Sequence, residues 1–317
     1  MTFIILAAGS GKRMRGATPK VMRPLLGRPM ISHILLTVQR FSPEHLLVVV
    51  DPKGHEVISQ ELSDEGIRYI IQPEALGTAD AVRRCRDEVT TRRVMVLCGD
   101  VPLLRSQTIS DMIASHQSRG AAATLLSTEF PDPSGYGRIV RNGDGTVRRI
   151  VEDKDASSAQ RAIREINSGT YIFESNLLFD MLERVEPSPA TGEYYLTDVV
   201  AMLVEVEMRV EALKIEDSSE LMGVNDPVAL KRVEDIFRRR LLSRWRRAGA
   251  RIQHPLMVFA DSEVELAAGA QVNGRTVLRG STRIGSGSRV GPFVTLEDTV
   301  IEGNSCIKGL RSKSSSS

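Results

Sequence analysis

Gly9 and Gly11 follow an apolar run, Thr2 to Ala7, and Lys12 and Arg13 come directly after them. A glycine-rich turn behind a first strand suits phosphate, because its backbone N–H groups can approach an anion closely. Lys20 adds a third cation on the turn opened by Pro19. Further along, Asp100 stands at the carboxyl end of the run VMVLCGD. A carboxylate there, beside a phosphate loop, is placed to hold Mg²⁺, which takes one or two protein ligands and completes its shell with phosphate oxygens and water. Each of these residues also has a plainer reading. The loop could be a tight turn with solvated cations, Lys20 a solvated lysine, and Asp100 a helix cap or turn residue.

Two familiar phosphate motifs can be excluded. The dinucleotide fingerprint needs a third glycine where Met14 stands. A P-loop needs glycine in the place of Leu6 and Ser or Thr in the place of Arg13. The loop is therefore a phosphate turn of another kind.

The elements that must position these residues alternate up to about Ser127. TFIILA, LLVVV, IRYII, RVMVLCGD and AATLLS read as strands. PMISHILLTVQRF, GTADAVRRCRDEV and SQTISDMIASHQ read as helices between them. Continuous Val/Leu/Ile strands separated by amphipathic helices imply a parallel sheet covered on both faces. Ligands on such sheets bind at the carboxyl ends of the strands, where the glycine loop and Asp100 fall. From Asp132 to about Asp226 the pattern loosens into what reads as a substrate-covering insertion, with a hairpin through Asn142–Gly145.

Pro227 to Ala248 reads as one long helix with an apolar stripe of Val233, Phe237, Leu241 and Trp245 and with Glu234 one turn before Arg238. Its arginines, Arg238 to Arg240, Arg244, Arg246 and Arg247, are read as a solvated face rather than an RNA or lipid patch. Beyond it Leu266, Val272, Leu278, Ile284, Val290 and Leu296 recur every six residues. That period signals a parallel β-helix with three hexapeptides per coil, so about two coils over this stretch. Such a solenoid needs neighbours to bury its faces, which points to self-association.

Composition sets the remaining bounds. Of 317 residues, 41% are hydrophobic and 26% charged, as in a soluble globular protein with one large and one smaller domain. A net charge of +2 argues against both a nucleic-acid partner and a membrane surface. Cys85, Cys98 and Cys306 show no paired spacing, so neither a disulfide framework nor a zinc site is expected. With no apolar run near the ~20 residues of a membrane span, the expected location is cytoplasmic.

Taken in order, LAAGSGKRM, PKVM, QPEALGTADAV, CGDVPLL, GYGRIV, VEDKDA, INSG, GEYYLTD and GVND, followed by the hexapeptides, carry a resemblance. The chain resembles the bacterial bifunctional N-acetylglucosamine-1-phosphate uridyltransferase/glucosamine-1-phosphate acetyltransferase family over its length to about Leu310. The resemblance implies an α/β, Rossmann-like nucleotidyltransferase domain with a mixed, mostly parallel sheet at 1–226 and a linker helix at 227–250. A short left-handed parallel β-helix follows at 251–310 and a disordered tail at 311–317. It implies transfer of uridylyl from UTP to N-acetylglucosamine-1-phosphate for cell-wall precursors, with Mg²⁺ and as a homotrimer through the β-helix. Leu6, Ala7, Ala8 and Gly9 would line the nucleotide, Arg13 and Lys20 would meet its phosphates, and Gln72, Gly77 and Thr78 would read the uracil ring. Cys98 and Gly99 would lie against the substrates. Asp100 and Asn225 would hold Mg²⁺, and Gly137, Glu152 and Asn167 the amino-sugar phosphate. Arg13, Lys20 and Asp100 would carry catalysis.

Two residues depart from the family pattern: Lys12 stands where Thr is common, and Cys98 where Tyr is common. The acetyltransferase activity of the family is expected only from a longer parent, because its coils and tail lie beyond the segment present. The competing readings are a nucleotidyltransferase for another sugar or base, a nicotinamide-dependent oxidoreductase, and a non-catalytic β-helix scaffold. The missing third glycine weighs against the second, and Arg13, Lys20 and Asp100 together against the third.

Overall fold

In the computed structural model, residues 1–9, 14, 18–62 and 66–309 are described. The chain forms two compact units, one from Met1–Arg23 and Met30–Ala229, the other from Pro24–Pro29 and the chain from Leu230 onward.

The first unit is built on β1 (Thr2–Leu6), whose Phe3, Ile4 and Ile5 are buried. A two-residue hairpin, β2 (Pro24–Leu25) and β3 (Arg28–Pro29), belongs to the second unit and precedes α1 (Met30–Gln39). Ile31, Ile34, Leu35 and Val38 recur at helical spacing and give α1 its buried face. Then come β4 (His45–Val50), α2 (Pro52–Glu61) and β5 (Ile67–Ile71). The Asp51 carboxylate accepts from the N–H groups of Lys53 and Gly54 and so caps α2, with Pro52 in the first turn.

Next in the chain are α3 (Thr78–Arg83), β6 (Arg93–Cys98), α4 (Ser106–Arg119) and β7 (Ala123–Glu129). The stretch GTADAVRRCRDEV is helical only as far as Arg83. The N–H groups of Cys85, Glu88 and Val89 turn to carbonyls three residues back, giving a 3₁₀ turn at Arg86–Glu88 instead.

The remainder of the first unit comprises β8 (Gly137–Arg141), β9 (Val147–Val151), α5 (Ser158–Arg161), β10 (Glu165–Glu174), α6 (Ser175–Leu182), α7 (Leu196–Glu205) and β11 (Val210–Lys214). The sheet order is β11-β7-β10-β6-β1-β4-β5, with β8 on β10 and β9 on β8. β1 is parallel to β4 and β6, and β4 to β5, whereas β10 runs antiparallel to both β6 and β7. So the sheet is mixed and mostly parallel. Within what the sequence presents as a loose insertion, β10 is a ten-residue strand in the interior of the sheet, between β7 and β6. Apolar side chains on both faces of the sheet are buried in two clusters, as parallel strands covered by helices require.

The second unit takes up most of α8 (Pro227–Arg247) and a ladder of very short strands. Leu241, Leu242 and Trp245 pack in one cluster with Val258, Val264, Val272, Leu278, Ile284 and Val290. Arg238 pairs with Asp235 rather than with Glu234, and Phe237 is only half-buried. The strands are β12 (Arg251–Ile252), β13 (Val258–Ala260), β14 (Glu265–Leu266), β15 (Gln271–Val272), β16 (Thr276–Arg279), β17 (Arg283–Ile284), β18 (Arg289–Val290), β19 (Val294–Glu297), β20 (Val300–Ile301) and β21 (Cys306–Ile307). They stack in parallel as β12-β15-β18-β21, β13-β16-β19 and β14-β17-β20, which is a β-helix of three coils and the first strand of a fourth.

The six-residue period shows only the middle of this ladder. Leu266 pairs with Ile284 and Val272 with Val290, in step with the period. Ile252 pairs with Val272, and Ile284 with Ile301, out of step with it. Those offsets hide the outer coils from a strict hexapeptide count. Among the described residues, no helix is long and apolar enough to cross a membrane.

Candidate active site

Three strand ends of the first unit, those of β1, β5 and β6, lead into the site. Ladder hydrogen bonds run one residue past the strands: Ala7 N–H to the Val49 carbonyl, Gln72 N–H to Val50, and Gly99 N–H to Leu6, at 2.8, 2.8 and 2.9 Å. The residues just beyond β1, β5 and β6 are thus fixed by the sheet itself. Leu6, Ala7, Ala8, Gly9, Lys20, Gln72, Gly77, Thr78, Cys98, Asp100, Glu152 and Tyr195 line a cavity of about 400 Å³. Among the described residues, a Cβ added at Gly9 would meet nothing within 4 Å, so the absent side chain leaves space on that side where a ligand can approach the backbone. Gly99, between the lining residues Cys98 and Asp100, donates its N–H to the Leu6 carbonyl.

Gly77 is glycine for a steric reason. Its φ is +107°, and a Cβ there would drive into the backbone of Tyr194. This close approach belongs to a zipper between two segments. Tyr194 N–H bonds the Leu76 carbonyl at 2.7 Å, Ala79 N–H the Tyr194 carbonyl at 2.9 Å, and Leu196 N–H the Thr78 hydroxyl at 3.0 Å. The GEYYLTD segment therefore braces the loop that carries Gly77 and Thr78.

A second cavity of about 190 Å³ is lined by Gly137, Glu152, Asn167, Tyr136, Gly223 and Asn225, among others. It shares Leu6, Thr78, Cys98, Asp100 and Glu152 with the first. The two are lobes of one cleft, and Asp100 lies where they meet. There the Lys20 ammonium donates to the Asp100 carboxylate and, at 3.0 Å, to Asn225 Oδ1. One carboxylate oxygen and one amide oxygen converging on a single cation form a hard-oxygen donor pair that suits Mg²⁺. Among the described residues there is no cluster of three or more His, Cys, Asp or Glu, so such a metal would draw most of its shell from phosphates and water.

Asn225 follows two anchored residues. Val224 N–H bonds the Asp100 carbonyl at 2.9 Å, and Gly223 N–H bonds the Tyr136 hydroxyl at 3.0 Å. Tyr136 is itself wedged edge-on against Phe130, with ring centroids 5.0 Å apart. Burial lifts the Tyr136 phenol above its ordinary value, so it stays neutral. In the same lobe Glu152 accepts from the Thr197 hydroxyl at 3.0 Å. Burial, then the charges of Asp198, Asp155 and Glu193, push its carboxyl above the usual range. Asn167 Nδ2 donates to the Tyr171 hydroxyl at 2.6 Å, which turns the amide. Cys98 donates to the Gly169 carbonyl, and burial beside Asp100 pushes its thiol up to about 12. A thiol so hard to ionise is packing and not a nucleophile.

The site residues named from the sequence come together here, apart from Arg13, which lies outside the described residues with Ser10, Gly11 and Lys12. The partners that orient them, Tyr136, Tyr171, Thr197, Tyr194 and Gly223, were not singled out. The available signal was that three of the four aromatic or hydroxylic partners, Tyr136, Tyr194 and Thr197, sit inside the motifs GYGRIV and GEYYLTD.

Comparison with known proteins accords with this geometry. The family model of nucleotidyl transferases matches residues 2–246. The bifunctional protein GlmU of Streptomyces avermitilis is 42% identical over 304 residues, covering 93% of this chain and 62% of that protein. The GlmU of Heliobacterium modesticaldum is 40% identical over 309 residues, covering 97% of this chain and 67% of that one. The chain thus spans roughly two thirds or less of the length of these relatives. A crystal structure of a Bacillus anthracis protein assigned as a glucose-1-phosphate thymidylyltransferase superposes with a TM-score of 0.62 at 20% identity, over 74% of this chain and 95% of that one, and so shares the fold. With a strand-end cleft of this kind and a family match across most of its length, the chain belongs to the nucleotidyl transferase family.

Proposed function

We propose that the chain transfers the uridylyl group of UTP to N-acetylglucosamine-1-phosphate, releasing pyrophosphate, with Mg²⁺ held by Asp100 and Asn225. The observation that carries this reading is the two-lobed cleft whose lobes share Asp100, with Lys20 beside it. Two substrates that must exchange a phosphoryl linkage need adjoining pockets with positive charge at the junction. The larger lobe, with Gly9 open to phosphate and Gln72 at its wall, takes the nucleotide. The smaller lobe, with Glu152 and Asn167 to meet hydroxyl and amide groups, takes the amino sugar.

A phosphate oxygen of the sugar-1-phosphate attacks the α-phosphorus of UTP, and the bond from that phosphorus to the β-phosphate oxygen breaks. A phosphate monoester is already largely dianionic at neutral pH, since its second pKa is ~6, so no residue has to remove a proton. Lys20 and Arg13 neutralise the charge that accumulates on the phosphates. Gly9, through its backbone, and Asn167 keep the reactants in line. When bound, Mg²⁺ supplies the remaining charge neutralisation at Asp100 and Asn225. The unpaired thiols Cys85, Cys98 and Cys306 suit a reducing, cytoplasmic setting, and the exposed coil faces a homotrimer.

The test is pyrophosphate release from UTP and N-acetylglucosamine-1-phosphate, with and without Mg²⁺, set against dTTP with glucose-1-phosphate and GTP with mannose-1-phosphate. The reading requires the first pair to be fastest and to stop when Mg²⁺ is chelated. Faster turnover of either other pair would move the chain to another substrate class.

A further inference from the structure

We propose that Asp80, held by Arg84, is a positioning residue that fixes the polarity of the Gln72 side chain and thereby sets the choice of base. The proposal rests on the larger lobe being the nucleotide site. Gln72 is 4% exposed, lines that lobe, and has its backbone pinned to β4 through Val50. Its amide nitrogen donates to the Gly77 carbonyl at 3.0 Å and to Asp80 Oδ2 at 2.8 Å. A carbonyl and a carboxylate can only accept, so chemistry assigns the nitrogen, with both of its hydrogens, to that side. Gln72 Oε1 has no partner among the described residues and is what the side chain can offer a ligand.

The carboxylate that enforces this is itself held. Asp80 is 7% exposed, and its Oδ2 also accepts from Arg84 Nε at 3.0 Å, one helical turn on. An acid in the first turn of α3 is ordinarily explained by the helix dipole. That explanation accounts for an acid at this position but not for its bond to Gln72.

The consequence is a filter. Uracil presents an N–H at N3, which Oε1 can accept. Cytosine in the same register presents a lone pair at N3, so two acceptors would face each other. The amide could serve cytosine only by turning over, which would set Oε1 against the Asp80 carboxylate and the Gly77 carbonyl. Sites whose buried groups hydrogen-bond a substrate reject the mismatched analogue by as much as ~10⁴-fold.

Asp80→Asn removes the charged half of the lock with little change of shape and leaves only the Gly77 carbonyl to oppose the turned amide. An amide at position 80 can donate to Gln72 Oε1, which frees the nitrogen to face the base. The experiment is calorimetric titration of the whole chain with UTP and with CTP, alongside thermal melting. Wild type should prefer UTP by about 100-fold or more, and D80N should lower that ratio about tenfold or more, chiefly by binding CTP better. Arg84→Met, at an exposed position, should lower the ratio a few-fold and carries the same test should D80N fail to fold. A purely structural Asp80 would weaken both nucleotides together and leave the ratio unchanged, and that result overturns the proposal. A wild-type chain without preference for UTP overturns it together with the functional reading. Preference in wild type with an unchanged ratio in both variants overturns the lock alone.

Discussion

The two units of this chain make hydrophobic cores by different means, and the difference decides where chemistry can happen. In the first unit, strands of five to ten residues form a sheet with a buried apolar cluster on each face, and the carboxyl ends of β1, β5 and β6 lead into segments that line a cleft. In the second, strands of two to four residues pair with the coils before and after them. Gly285 shows the effect on glycine usage: a Cβ there would strike the backbone of Glu302 and Gly303 in the next coil. At Gly9 no described residue fills the space of the missing Cβ, which leaves room for something from outside. A glycine that makes space for a neighbouring coil serves the core, and a glycine that faces open space can serve a ligand. Charge follows the same division. The buried side chains of the first unit include Asp80, Arg138, His116 and Glu220, whereas those described in the second are apolar or hydroxylic.

If the comparison holds, damage to the two units must separate into lost turnover and lost stability. The largest effect is expected at Asp100. Asp100→Asn keeps the shape but removes the charge beside Lys20 at the junction of the lobes, and should lower kcat by about 10²–10³-fold. The melting temperature should stay within a few degrees of wild type. Near-normal turnover of this variant at saturating Mg²⁺ would break the comparison at its first step.

The opposite pattern is expected at Leu278, which is fully buried at the middle of the coil ladder. Leu278→Ala should cost about 2–5 kcal/mol, read as faster amide hydrogen exchange over 258–297. Turnover per folded molecule should be unchanged. Gly77→Ala should move both quantities, because it forces a side chain into the Tyr194 backbone from a φ of +107°. Strain of this kind costs about 1–3 kcal/mol, and the displaced loop should raise the KM for UTP about tenfold. A normal KM would show that the zipper to Tyr194 is free to give.

Which of these residues the sequence makes legible follows from what a pattern can record. Period reveals strands, helices and coils, so β1, β4, β6 and the middle coils are plain from spacing alone. Pairing leaves no such mark. β10 escapes notice because Asn167, Ser168 and Gly169 interrupt its apolar run, and the register shifts between Asn167 and Tyr171. Asn167, at the edge of that irregularity, lines the smaller lobe, so the break in the strand pattern falls at the candidate site. The candidate residues read from chemistry alone, Gly9, Arg13, Lys20 and Asp100, are legible because a phosphate loop with a metal favours those residue types, whereas Gln72, Glu152, Asn167 and Asn225 come from the family resemblance. Orienting partners such as Tyr136 and Asp80 are ordinary residue types and become visible only through their hydrogen bonds.

Tyr136 offers a smaller and sharper test. Tyr136→Phe deletes only the hydroxyl that accepts from Gly223 N–H. Leaving that half-buried donor unpaired costs about 1–3 kcal/mol, spent in loosening the segment that carries Asn225. The Mg²⁺ concentration for half-maximal rate should rise a few-fold, while kcat at saturating Mg²⁺ stays near wild type. An equal loss of kcat at all Mg²⁺ concentrations would mean that Tyr136, which lines the smaller lobe, acts on that lobe's ligand directly rather than through Asn225.

The smallest effect concerns Glu152 and is a matter of pH. Its carboxyl is raised above 4.5 by burial, so the folded state holds a proton that the unfolded state has released over the interval between the two values. Stability then falls as pH rises through that interval, because the unfolded chain binds fewer protons there than the folded one. Glu152→Gln keeps an oxygen to accept from Thr197 and cannot ionise. Its melting temperature should equal that of wild type below pH 4.5, rise above it through the interval, and run parallel beyond it. A gain of about 2–4 °C would correspond to 1 kcal/mol in a unit of this size. The second unit should supply no such slope, since no ionisable side chain is among its described buried residues. Amide exchange over 258–297 measured between pH 5 and 8, corrected for intrinsic rates, should therefore report a constant free energy of opening. A slope in that segment matching that of the Glu152 region would mean that the two cores unfold as one.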